Sequence, residues 1–144
     1  MVRRTMCRTV AVSLFVLAAL SVTSCGHEVK QTFFPVKGSA FCEGKPAAGA
    51  ILSFHRVGDP DKTNLPHATV QKDGTFSVTS INKGDGAPPG KYQVTVIWRK
   101  KKSSSGDEEA EWMLPLRYLT AETSGIEVEI KSAPTELEPF QLTK

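Results

Sequence analysis

The sequence predicts an all-β domain, a seven-stranded Greek-key β-sandwich, behind a leader that is cut away. Three observations predict it. From residue 33 onward, short runs rich in Val, Ile, Phe and Tyr alternate with polar residues, and Gly, Pro, Asp and Asn clusters separate them. No stretch keeps a 3.6-residue apolar period across three turns, so helices have little to build on. The 144 residues suffice for one domain, and the apolar share of 40% can fill one core without a disulfide or metal.

The strands follow in order. Phe34 to Cys42 is the first, with Val36, Gly38, Ala40 and Cys42 on one face, and Glu43-Gly44-Lys45-Pro46 turns the chain. Ala50, Leu52 and Phe54 alternate with Ile51 and Ser53 to make the second. A long polar loop then runs from Arg56 to Pro66. Ala68 and Val70 enter Lys72-Asp73-Gly74, and Phe76 and Val78 leave it. Asp-Gly between alternating apolar residues signals a hairpin, because both residues tolerate the positive φ of a tight primed turn. After Gly84-Asp-Gly-Ala-Pro-Pro-Gly90, the series Tyr92, Val94, Val96 and Trp98 is a clean period-two strand. Residues 99–111 carry opposed charge blocks around a Ser-Ser-Ser-Gly centre, which predicts a solvated loop, with partner docking or an acidic metal site as the functional readings. Apolar bulk returns from Trp112 to Leu119 as an irregular segment over the sandwich. Ile126, Val128 and Ile130 form a sixth strand, and Leu137, Phe140 and Leu142 a seventh, edge-like one containing Pro139.

The first 24 residues read differently. Arg3, Arg4 and Arg8 precede an apolar run, Val10 to Val22, whose thirteen residues reach roughly 20 Å as a helix, short of the ~30 Å hydrocarbon layer. A basic start and a short apolar core are the parts of a secretory signal. Val22-Thr23-Ser24-Cys25 closely resembles the bacterial lipobox: an aliphatic residue, two small ones and an obligatory cysteine. The resemblance implies that the Cys25 thiol is joined to diacylglycerol, that cleavage precedes it, and that the protein is membrane-anchored in the cell envelope. The other reading is a plain secreted protein. Residues 25–33 are then a tether and 34–144 the folded domain. Gly26, where some bacteria use Asp for inner-membrane retention, leans towards the outer membrane.

Charge and composition exclude several functions. All fifteen acidic residues lie after Cys25 and fifteen of the eighteen basic ones do too, so the mature chain is neutral. No basic stripe with interleaved aromatics marks a nucleic-acid surface. Cys7 leaves with the leader and Cys25 is acylated, so Cys42 is a lone thiol, read as a small buried hydrophobe. There is no G-x-S-x-G, P-loop or GxGxxG, and His27, His55 and His67 show no zinc spacing. His55, Asp59, Asp61 and His67 bracket one loop, the candidate for a small ligand or metal, although it lacks the glycine and distal glutamate of a calcium loop. The expectation is a non-enzyme without cofactor or metal.

Together the motifs Val36-x-Gly38, Gly44-Lys45-Pro46-x-x-Gly49-Ala50-x-Leu52-x-Phe54, Asp73-Gly74-x-Phe76-x-Val78 and Pro89-Gly90-x-Tyr92-x-Val94-x-Val96 resemble the carboxypeptidase regulatory-like, transthyretin-like domain. Leu114-Pro115, Tyr118, Ser124-Gly125 and the final Phe-x-Leu look like those of its lipid-anchored members. The resemblance implies a seven-stranded sandwich of transthyretin-like or Ig-like type, an envelope location and no activity of its own, with an envelope protein or glycan as partner. Its key residues, Gly44, Pro46, Gly49, Asp73, Gly74, Pro89 and Gly90, read as structural turns, with Gly49-Ala50 leaving room for a close approach. Ala40 and Ala47, smaller than the family's usual aliphatics, lighten one core corner. The transthyretin-like hydrolase of purine breakdown is the catalytic precedent, but its Tyr-Arg-Gly-Ser tail is replaced here by Phe140-Gln-Leu-Thr-Lys144. Trp112 and Tyr118 are candidates for an exposed binding surface, against a core reading for each.

Overall fold

A computed structural model describes residues 31–59, 63–101 and 110–144, so the leader, Cys25 and the centre of the 99–111 segment lie outside it. The chain is mostly β, in several sheets. One sheet is built on β1 (Val36–Cys42). On one side of it lie the antiparallel β2 (Lys45–Pro46) and β5 (Thr75–Ser77), and on the other the parallel β10 (Thr135–Glu136) and β11 (Phe140–Leu142). The second sheet has the order β4-β3-β6-β9, from β4 (His67–Thr69), β3 (Ile51–Arg56), β6 (Gly90–Ile97) and β9 (Glu127–Ile130), all antiparallel.

Alternation decides which side chains meet between the sheets. Leu52, Phe54, Tyr92, Val94 and Val96 of the second sheet and Val36, Ala40, Phe76 and Phe140 of the first are buried in one core. Four rings form a chain across it: Tyr92 stands edge-on to Phe54 at 6.5 Å between centroids, Phe54 meets Phe76 at 6.4 Å, and Phe76 meets Phe140 at 5.5 Å. Gly38 makes room for this row, since a methyl group there would come within 2.6 Å of Phe76 Cζ. Ala40 and Ala47 are fully buried, and the Ala47 N–H donates to the Ala40 carbonyl at 3.0 Å, so the light corner is a close backbone approach.

Several local expectations need correction. The two-residue primed turn lies at Glu43-Gly44 between the paired Cys42 and Lys45, where φ is 51° and 77°. At Asp73-Gly74 only the glycine has positive φ, 91°. There Gly74 N–H donates to Gln71 O and Gln71 N–H to Thr75 O, the pattern of a three-residue turn closed by a glycine bulge. Asp73 contributes its carboxylate instead, accepting from Thr75 N–H at 2.9 Å and Thr75 Oγ1 at 2.7 Å, which holds its pKa below the ordinary value. The flanking strands splay apart, β4 joining one sheet and β5 the other, with one bridge at His67 and Thr79. Gly49 has open space where a Cβ would lie, so its φ of 83° explains it and close approach does not.

The 99–111 segment is not all loop. Arg99–Lys101 (β7) and Ala110–Trp112 (β8) pair antiparallel as a separate two-stranded ribbon. Backbone pairing and the Arg99 guanidinium, 3.9 Å above the Trp112 ring, hold a stretch that has too little apolar content to announce itself as strand. The segment after Trp112 covers the core as expected, in a 3-10 turn (Leu116–Leu119) followed by one helical turn, α1 (Ala121–Ser124). Leu114 and Tyr118 are buried there. Tyr118 Oη accepts from Thr143 N–H and from Arg117 Nη2, each at 3.2 Å, tying this cover to the end of β11. Those bonds outweigh the burial that would raise the phenol's pKa and leave it lowered. The last strand is an edge, and Pro139 marks its bulge: one residue more separates Glu136 from Phe140 than separates Lys37 from Ala40 on β1.

Gly86 sits against the entering chain, and a methyl group there would lie 1.7 Å from the Phe34 carbonyl oxygen. Gly58 has a similar φ, 81° against 88°, but open surroundings. Gly86→Ala should therefore destabilise by more than about 3 kcal/mol, and Gly58→Ala by only about 1–2 kcal/mol. Urea unfolding midpoints of the two variants would separate steric from conformational cost.

Candidate functional site

Strand direction gives the domain two ends. The chain enters at Gln31 to Pro35, and residues 57–59, 63–66, 79–90 and 131–134 lie at that entry end, because β3 and β9 run towards it and β1 and β6 start from it. The turns at 43–49 and 70–74, the β7–β8 ribbon and the C-terminus lie at the other end.

The entry end holds a cleft of about 590 Å³, within the ~300–1,000 Å³ usual for small-ligand sites. Phe54 and Tyr92 form its apolar floor, Leu65, Pro66 and Ile81 its walls, and Arg56 and Asp59 its charged rim. The chain sets these positions by the two-residue period of β3, which turns Phe54 and Arg56 the same way. Arg56 Nη2 donates to the Pro89 carbonyl at 3.0 Å, and its Nε would be 3.0 Å from a Cβ at Gly90. The predicted turn residues Pro89 and Gly90 thus carry the arginine as well as the strand start. Tyr92 Oη donates to the Pro88 carbonyl at 2.8 Å; burial raises the phenol's pKa, with Arg56 opposing and Asp59 adding to the rise.

The loop beside the cleft is organised by one carboxylate. Asp85 accepts from Ser80 N–H at 2.7 Å, Asn82 N–H at 2.8 Å and Ile81 N–H at 3.0 Å. Burial works to raise its pKa, but the three N–H donors prevail and lower it from 3.8. This arrangement holds Ile81 out at the cleft wall, 74% exposed.

The two histidines do not share this cleft. His67 pairs with Ser53, and His55 stands two residues further along the same strand, so both project from the outer face of their sheet. His55 Nε2 lies 3.1 Å from Thr95 Oγ1, and His67 Nδ1 3.3 Å from Leu65 O. The residues of that loop that do line the cleft are Arg56, Asp59, Asn64, Leu65 and Pro66. Among the described residues no three His, Cys, Asp or Glu side chains gather as metal ligands; Asp61 lies outside them. Sequence reasoning missed Arg56, Phe33, Ile81 and Tyr92 as lining residues, and β3 parity is the signal that would have found Arg56.

At the other end, Trp112 is 39% exposed beneath Arg99, whereas Tyr118 is core. Pro46 stands on the short edge strand β2 opposite Phe41. Cys42 is a buried free thiol whose pKa burial raises, with Glu43 adding to the rise, so it is a poor nucleophile. No helix among the described residues is long and apolar enough to cross a membrane. No protein-family model and no curated protein matches the sequence.

Asp85→Ala should loosen the 80–86 loop and cost about 1–3 kcal/mol near pH 7. Because the folded carboxyl titrates below its ordinary value, this stabilisation exists above that value and disappears as pH falls through the lowered one. The gap between wild type and variant, followed by urea unfolding, should therefore close in strong acid.

Proposed function

We propose that this protein is a non-catalytic lipoprotein of the cell envelope. Acylated Cys25 holds it on a membrane, the outer one being favoured, and the β domain serves as a structural or binding module for an envelope protein or glycan. The separation of the two ends supports this reading: the chain comes from Cys25 into one end, while the β7–β8 ribbon with its exposed Trp112 stands at the other. Two or three acyl chains, at about 0.8 kcal/mol per buried CH₂, anchor far more firmly than one. The domain itself is proposed to be a transthyretin-like, seven-stranded Greek-key sandwich, with β1, β3, β4, β5, β6, β9 and the interrupted β10–β11 strand as its seven members. The ribbon is then an insertion after β6.

A second reading has the cleft at the entry end take a small ligand. Its volume and its mix of apolar floor and charged rim favour that, and Arg56 and Asp59 would make the polar contacts. A metal in the His55 to His67 loop belongs to this reading too, and a melting temperature that does not respond to calcium or zinc would count against it. The hydrolase alternative has no supporting geometry and ranks last.

Cys25→Ala should move the protein from the membrane to the soluble fraction and abolish incorporation of labelled palmitate. An unchanged membrane fraction would overturn the anchor. In a membrane pull-down, deletion of residues 99–111 should lose the partner while leaving the melting temperature within a few degrees of wild type; a partner retained in full would exclude the ribbon.

A further inference from the structure

We propose that the entry end of the domain docks end-on against the bilayer that holds its own lipid, with Ile81 and Val57 entering the interfacial layer. The inference rests on acylation of Cys25. Five residues, Gly26 to Lys30, lie between Cys25 and Gln31, and the six residue steps span only about 20 Å even when fully extended. The first described residues, Gln31 and Phe33, line the entry-end cleft beside Ile81. That end is thus confined near the membrane surface, whereas the eight residues of β6 set the ribbon end about 26 Å further on.

The side chains at this end suit a lipid surface. Ile81 is 74% exposed on the 80–86 loop, and Val57 is 58% exposed in the turn directly after β3, where its N–H still donates to the Lys91 carbonyl. Asp85 turns its carboxylate inward onto three N–H groups and fixes Ile81 outward. Lys83, Lys91, Lys131 and Arg56 are exposed around them, with Asp59, Glu127 and Glu129 as acidic groups alongside. Exposed Ile51 and Ile97, paired across β3 and β6, are the competing surface and would instead lay the domain on its side.

The test uses the acylated protein reconstituted into vesicles of phosphatidylethanolamine and phosphatidylglycerol. Single cysteines are introduced as Ile81→Cys, Ile97→Cys and Lys45→Cys, the last at the far end, and labelled with an environment-sensitive fluorophore; buried Cys42 sets the background. Nitroxide-bearing lipids should quench the label at position 81 several-fold more than those at 97 and 45, and its emission should shift to the blue. Equal quenching at 81 and 45, or stronger quenching at 97, would overturn end-on docking while leaving the anchor intact. Failure of the protein to float with the vesicles would instead overturn acylation, and the docking with it.

Discussion

The contact on which this fold depends is the meeting of Phe54 and Phe76 between the two sheets. Each ring belongs to a different sheet, and each has a second aromatic partner, Tyr92 and Phe140, so four strands are joined through one apolar row. The row exists only because β1 presents Gly38 opposite Phe76; any larger residue would push the ring off its neighbour. Burying such rings contributes about 1.5–3 kcal/mol apiece, while each neutral hydrogen bond adds about 1. The polar features at both ends are therefore passengers on a core that the rings assemble.

That division explains why the ends can differ so much. The entry end is fixed by backbone and carboxylate: Phe34 pairs with Ala87, Asp85 gathers three N–H groups, and Arg56 is held on Pro89. The far end is fixed by Tyr118, Arg117 and Thr143, and by Trp98, whose indole N–H donates to the Ala48 carbonyl. The entry-end set meets the aromatic row at Tyr92, whose hydroxyl donates to the Pro88 carbonyl, whereas the far-end set closes on the terminal strand through Thr143.

Much of the strand pattern was legible because burial on one face writes itself into the sequence. Tyr92, Val94 and Val96 are buried as their alternation requires, as are Leu52 and Phe54. What alternation cannot record is who pairs with whom. The parallel pairing of β10 and β11 with β1 joins residues about a hundred positions apart and leaves no local trace except Pro139. The ribbon escaped for the opposite reason: it buries almost nothing, and its pairing uses backbone groups that every residue carries. At the cleft, Arg56 was hidden by its neighbour. His55 attracted notice as a ligand type, yet the pleat sends it to the outer face and gives the inner position to the arginine.

The same pleat limits what chemistry the domain can do. A small sandwich spends its inward side chains on packing; among the described residues the buried positions are apolar but for Thr95 on β6 and Ser124 in α1, and no buried polar side-chain atom is left without a partner. A reactive group needs a desolvated yet addressable position, and Cys42, the buried thiol among the described residues, sits where burial and Glu43 suppress its ionisation. The exposed features that stand out among the described residues lie at the two ends, the cleft at one and the ribbon at the other. On the proposed anchor at Cys25, the short tether would keep the entry end near the bilayer and leave the ribbon end as the face a soluble partner can approach without first displacing a membrane.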